Sequence, residues 1–437
     1  MTQLNYGRAF ISDSLGFHII FASLGIGLPL LISILELIGI IKKDSDYGKL
    51  ARKIGAGFLI LFGVGTISGT IISFQLSLLW PKFMKIAGQV VSLPFTLEGF
   101  CFLIESLFIV IYFFGWDKFK KPINHWLFSI PIILASAGSG FVVITANSWM
   151  NSPAGFSIVD GQVMNVDPLK AMFNPATPTQ TSHSITSSYL ATFLAVGAVF
   201  AFILLKRKSE IIAKGLKVTM VLSLISIILV VFIGDLSARY IAESEPIKSA
   251  AAESLFNTTT EAPLHIGGII DEKNQKLIGA IELKGVLSYL VYGDTSKAVR
   301  GLNDFDRSLW PSPIVHYSFQ VMVGAGFAIL LFVSLYFVRK KFKIEKLTYI
   351  LIIVSGFLGF IAIEAGWMTT EIGRQPYAIV GYLLTKDAFT DSKSVQVFAS
   401  LFPIAYLLLF IVAIISLRRY YKKHPLKESD GNDSLHN

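Results

Sequence analysis

Six side chains able to bind iron or carry a proton interrupt long apolar runs of this sequence: His18, Glu98, Glu105, His183, Met322 and Glu364. Imidazole and thioether groups are axial donors to haem iron, and a His/Met pair closes both axial positions of a low-spin haem. A buried carboxylic acid is a common proton carrier inside a membrane. A charged group at the bilayer centre costs roughly 2.5–3.5 kcal/mol on insertion scales, so each carboxylate there needs a reason. Taken singly, each has a structural explanation: an interfacial histidine on a loop carbonyl, a carboxylate bonding a neighbouring helix, a core methionine. Glu98 and Glu105 are seven residues apart, about two turns, which puts both on one helix face about 10 Å apart along the axis. Glu371 and Arg374 follow Glu364 in Glu371-Ile372-Gly373-Arg374-Gln375-Pro376. Interfacial capping accounts for that pair, and Arg374 is also suited to neutralise a haem propionate.

The elements that must position these groups are transmembrane helices. Of the 437 residues, 53% are hydrophobic and 15% charged, where a soluble domain carries about a quarter charged. Apolar runs near 14–41, 54–79, 93–115, 126–147, 184–205, 216–236, 314–338, 348–369 and 397–417 each have the roughly 20 residues that cross a bilayer. This predicts an all-α integral membrane protein of about nine spans. The formal net charge of +9 comes from clusters such as Lys42-Lys43, Lys118 to Lys121, Lys206 to Lys208, Arg339 to Lys341 and Arg418-Arg419. Every second loop is short and basic, so the charge reports topology and not nucleic-acid binding. The N-terminus is expected outside and the C-terminus in the cytoplasm. The first run lacks a basic leader and is followed by positive charge, so it is expected to stay as the first span. Glu36 lies near the inner end of that span, within reach of the interface.

This topology gathers His18, Glu98, His183, Met322 and Glu364 from five helices into the outer half of the membrane, as a cofactor cluster requires. Two outer loops are long. Residues 148–183, with four prolines, read as an irregular cap. Residues 237–313 read as a functional or disordered loop, with a helix expected after Pro246 through its alanines. A polar, disordered tail is expected at 428–437. The single cysteine, Cys101, reads as a small residue at a helix contact.

With Gly16-Phe17-His18, Glu98-Gly99-Phe100, Glu105-Ser106, Gly115-Trp116-Asp117, Ala146-Asn147-Ser148-Trp149-Met150, Gly234-Asp235, Glu364-Ala365-Gly366-Trp367 and Gly373-Arg374-Gln375-Pro376, the chain resembles subunit I of the cytochrome bd-type quinol oxidases, of the short quinol-loop kind. The resemblance implies His183 and Met322 as ligands of low-spin haem b. It implies His18 and Glu364 as ligands of two high-spin haems, with Glu98 a further ligand or proton donor. Which of His18 and Glu364 serves which haem stays open, as does haem d against a third haem b. Arg8 and Arg374 would lie near the haems, and Lys248 and Glu253 would bind quinol. Glu105, Ser106 and Ser139 match a proton route from the cytoplasm. A subunit II, a small single-helix subunit as a further candidate, membrane lipid and quinone are the implied partners. The implied setting is the prokaryotic plasma membrane.

The sequence departs from the family at Glu245, often Gln, at Gln320, often Arg near the low-spin haem's propionates, and at Ser73, often Glu. Lys248 and Glu253 stand about 140° apart around an ideal helix, so one quinol meets both only if the segment bends or the ring enters between them. The implied activity is quinol oxidation outside and reduction of O2 to water with cytoplasmic protons, separating charge without a pump. Two other readings are a haem protein fed by a protein donor and a proton-coupled transporter. Lys248 and Glu253 oppose the first, and the lack of an internal repeat opposes the second.

Overall fold

The computed structural model describes residues 3–390, 392 and 395–426. The expected tail at 428–437 lies outside the described residues. The helices are α1 (Gln3–Lys42), α2 (Ser45–Leu79), α3 (Pro81–Val90), α4 (Ser92–Gly115), α5 (Pro122–Leu127), α6 (Ser129–Asn151), α7 (Pro168–Met172) and α8 (Thr177–Lys206). They continue as α9 (Glu210–Ser244), α10 (Pro246–Glu253), α11 (Val286–Tyr292), α12 (Ile314–Phe342), α13 (Glu345–Gly373), α14 (Thr385–Ala388) and α15 (Val395–Lys423). Among the described residues, nine helical stretches are long and apolar enough to cross a membrane, with α5 and α6 forming one of them. The all-α membrane architecture is as the sequence leads one to expect.

The helices outrun the apolar stretches that predicted them. The second begins at Ser45, where Asp44 accepts from the Asp46 main-chain N–H, and α9 continues two turns beyond residue 236 to Ser244. Hydropathy marks the part facing lipid, and the polar ends of a helix carry no such signal. His183 accordingly lies about two turns inside α8 and does not begin it.

The helices form two groups that share α8. In one, α8, α9, α12 and α13 pack as a quartet; in the other, α1 contacts α2, α6, α8 and α15, and α4 lies along α6. A continuous apolar core fills the half of the bundle nearest the basic loops, with Leu31, Leu35, Phe58, Phe193, Met220, Ile329, Val333 and Ile352 among its buried members. His18, Glu98, His183, Met322 and Glu364 lie toward the other end of their helices, with Glu105 about midway along α4.

That other end is capped by ordered structure. The expected irregular cap at 148–183 comprises the end of α6, the hairpin β1 (Ser157–Val159) to β2 (Gln162–Met164), α7 and the start of α8. The 237–313 segment is folded as well. It contains α10, β3 (Leu264–Ile266) paired with β6 (Ile281–Leu283), β4 (Ile269–Asp271) paired with β5 (Lys276–Ile278), and α11. Helix α10 lies where the alanine run predicts it, and it rests on α9, α12 and α13, over the end of the quartet. A last pair, β7 (Tyr377–Ile379) and β8 (Leu383–Leu384), follows α13.

Candidate functional site

Each of four expected iron-binding side chains stands beside a glycine of a neighbouring helix. A Cβ at Gly69 of α2 would come 3.0 Å from His18 Cε1, and one at Gly234 of α9 would come 3.3 Å from His183 Cε1. A Cβ at Gly366 of α13 would come 3.0 Å from Met322 Sδ, and one at Gly16 of α1 would come 3.4 Å from Glu364 Oε2. Side chains at Gly69, Gly234 and Gly366 would crowd the donor groups, whereas one at Gly16 would only touch Glu364. Glu364 thus reaches from α13 to α1 within two residues of His18. His183 lies against α9 and Met322 against α13, on different helices of the quartet. None of these four, nor Glu98, is fully covered by protein atoms.

The polar atoms around them are unusual for a membrane interior. His183 Nδ1, Glu364 Oε1, and Arg374 Nε and Nη1 are buried with no hydrogen-bond partner. Most buried polar atoms in proteins are paired, so four orphans in one half of the bundle call for an explanation. A haem would account for three of them, with iron for the Glu364 carboxylate and propionates for the guanidinium, while the His183 ring faces the Val230 carbonyl. The residues fit the group. His18 differs, since its Nδ1 lies 2.8 Å from Ser68 Oγ, and Ser68 Oγ donates to the Gly65 carbonyl at 2.9 Å.

A polar network runs across the same end. Arg374 pairs through Nη2 with Glu371 Oε2, and Asn147 donates to Glu371 Oε1. Asn151 donates to the Asn147 carbonyl at 3.0 Å and accepts from Lys248 Nζ at 2.6 Å. Lys248 also pairs with Glu245, and its aliphatic stem lies against Gly373 at the end of α13. Both Lys248 and Glu245 are buried. The sequence offers no signal for Asn151 in this role, since a neutral amide near a helix end is unremarkable. Arg8 is exposed, its Nη2 3.4 Å from Gln375 Oε1.

Lys248 and Glu253 do not converge on one open face. A cleft of about 250 Å³ runs along α10, bordered by Ala251, Ser254, Phe256, Arg307 and Trp310, and neither residue lines it. Glu253 is buried with Oε2 unpartnered. Burial pushes its carboxyl up to about 8, against the smaller opposing effect of the His265 main-chain N–H. His265 Nδ1 in turn donates to the Glu253 carbonyl at 2.8 Å. Gln320, where relatives often carry Arg, holds this loop: its Nε2 donates to the His265 carbonyl at 2.9 Å and its Oε1 accepts from the Gly267 N–H at 3.0 Å. Ser73 is exposed and donates to the Gly69 carbonyl.

On α4, Glu98 is half-buried and Glu105 fully buried. Ser106 of α4 and Ser139 of α6 are half-buried on helices that pack together, and Cys101 sits at that contact beside Gly138. One further heptad on, Tyr112 continues the stripe. Its hydroxyl donates to Glu36, whose other oxygen is 2.7 Å from His125 Nδ1, while His125 Nε2 donates to the Tyr112 carbonyl at 2.8 Å. Glu36 is therefore buried and paired and does not reach the interface. Tyr112 and His125 escape sequence reasoning because their partner lies on a distant helix.

The family profile described as cytochrome bd terminal oxidase subunit I matches residues 7–425. A Bacillus subtilis (strain 168) cytochrome bd ubiquinol oxidase subunit 1 is 30% identical over 97% of this chain and 94% of its own. An Escherichia coli (strain K12) cytochrome bd-II ubiquinol oxidase subunit 1 is 26% identical over 93% and 94%. The solved bd oxidase from Geobacillus thermodenitrificans superposes with a TM-score of 0.93 at 37% identity, covering 97% of this chain and 99% of that one. Nine apolar helices among the described residues, one polar half and a family match over residues 7–425 agree, and the chain belongs to the cytochrome bd terminal oxidase subunit I family.

Proposed function

We propose that this chain is the haem-bearing subunit of a quinol:O2 oxidoreductase that oxidises quinol at the outer face and draws the protons for water from the cytoplasm. Family membership makes it a terminal quinol oxidase subunit of the prokaryotic plasma membrane, working with subunit II. Alternating short basic loops assign the basic end to the cytoplasm and both long loops to the outside. A small single-helix subunit is a further candidate partner.

The observation that carries the finer reading is the set of glycine-flanked donors with orphaned polar atoms in the outer half. His183 and Met322 would hold low-spin haem b, while His18, Glu364 and Glu98 would hold the two high-spin haems, either haem b with haem d or a second and third haem b. Bound haem would supply one-electron transfer and dioxygen reduction. Arg374 presents two unpartnered nitrogens, Nε and Nη1, for a propionate, with Arg8 further out at the same end.

The chain's own residues handle the protons. Two quinols give four electrons and four protons, and one O2 takes up four of each to form two waters. Glu253, its carboxyl near 8 through burial, is suited to accept a quinol proton close to neutral pH. Lys248 fixes α10 on the bundle and so sets where Glu253 stands. Glu105, with Ser106 and Ser139 nearby, is placed between the basic end and the outer half, as a relay from the cytoplasm requires. Release outside and uptake inside separate charge without a pump. Met322→Leu is expected to abolish the six-coordinate low-spin absorption and quinol-driven turnover together; an unchanged reduced-minus-oxidised spectrum refutes the ligand set.

A further inference from the structure

We propose that Ser68 is a positioning residue for His18: it fixes the imidazole as the Nδ1–H tautomer, leaving Nε2 as the free donor toward a high-spin haem. This rests on the assignment of His18 as an iron ligand.

A serine hydroxyl has one hydrogen to give. Ser68 sits 2.9 Å from the Gly65 carbonyl, which can only accept, in the three-residue back-bond common for serine inside helices. With its hydrogen committed there, Ser68 Oγ meets His18 Nδ1 at 2.8 Å as an acceptor, so Nδ1 carries the proton. The Gly65 carbonyl faces the same ring, a second acceptor and no donor. Ser68 itself is fully buried on α2, so water does not compete for this bond. Gly69, the next residue, leaves room for the ring beside α2: a Cβ there would be 3.0 Å from Cε1 and 3.6 Å from Nε2. The Ser68-Gly69 pair thus orients the ring and selects its tautomer. No hydroxyl pairs with His183 Nδ1; its ring faces only the Val230 carbonyl, so the serine contact is particular to His18.

An outer hydrogen bond of this kind raises the basicity of the ligating nitrogen, and its loss typically costs about 10- to 100-fold in metal affinity. The test compares purified holoenzyme carrying Ser68→Ala, Ser68→Thr and His18→Ala. In Ser68→Ala, the iron–histidine stretching band in resonance Raman spectra is expected to move to lower frequency. Haem transfer to an apoglobin scavenger is expected to quicken about 10- to 100-fold. Ser68→Thr, which restores the hydroxyl, is expected to return both readings to the parent values. Loss of that haem already in Ser68→Ala, recovered in Ser68→Thr, supports the same conclusion. Ser68→Ala indistinguishable from the parent in both readings overturns it, as does equal damage in Ser68→Thr. His18→Ala is the separate control: retention of every haem there removes the ligand assignment itself.

Discussion

Helix α10 is eight residues long, too short to persist without tertiary support, and Lys248 is its main polar anchor. Its ammonium holds Asn151 at 2.6 Å and pairs with Glu245, with the two side chains only 4% and 8% exposed. Lys248→Met keeps the apolar stem against Gly373 but leaves the Glu245 carboxylate buried and alone, its Oε1 already without a partner. Deleting one member of a buried pair costs about 3–5 kcal/mol. At tenfold per 1.4 kcal/mol, the local opening of α10 should increase roughly a hundredfold to a few thousandfold. Hydrogen exchange of the α10 amides in the purified enzyme reads this directly. The double variant Lys248→Met/Glu245→Gln should recover most of the protection, because the uncompensated charge is gone. Quinol turnover should follow the same order, lowest in the single variant. Unchanged α10 protection in Lys248→Met, or a double variant more exposed than the single one, refutes the anchoring argument.

Glu105→Gln should slow oxygen reduction about a hundredfold, within the range for loss of a proton-transferring group, while haem content by pyridine haemochrome stays normal; normal turnover would deny it a relay role. At low quinol concentration the parent rate should rise with pH through about 8, since the carboxylate form of Glu253, scarce below that value, is the one that accepts a proton. Glu253→Gln should be slow and flat over that range, and a retained pH limb would place the titrating group elsewhere. Gly234→Val should displace His183, whose Cε1 is 3.3 Å from a Cβ there, and selectively weaken the low-spin absorption. Preserved low-spin intensity would separate His183 from that haem.

The membrane helices and the polar half are legible because the bilayer does not tolerate charge: carboxylates such as Glu98, Glu105 and Glu364 stand out only against lipid. Neutral polar residues carry no such contrast. Ser68, Asn147 and Asn151 look like ordinary helix residues until a partner from another helix is seen. Glu36 shows the same limit from the other direction: position along one helix suggests a reach to the interface, and only the packing of α4 and α5 shows why it stays inside. The outer loops were the least legible. Their hairpins pair β3 with β6 around β4 and β5, a nesting without a local sequence signature, and Gln320 meets them from a span.

The corner formed by Glu36, Tyr112 and His125 bears on how the chain enters the membrane. Glu36 arrives with the first span, yet its hydrogen-bond partners are synthesised 76 and 89 residues later. An early insertion intermediate therefore carries a polar group that nothing in its own helix satisfies. Biogenesis of this corner is completed only when the third and fourth membrane crossings have been delivered, which makes their arrival a checkpoint between a nascent helical hairpin and a committed bundle.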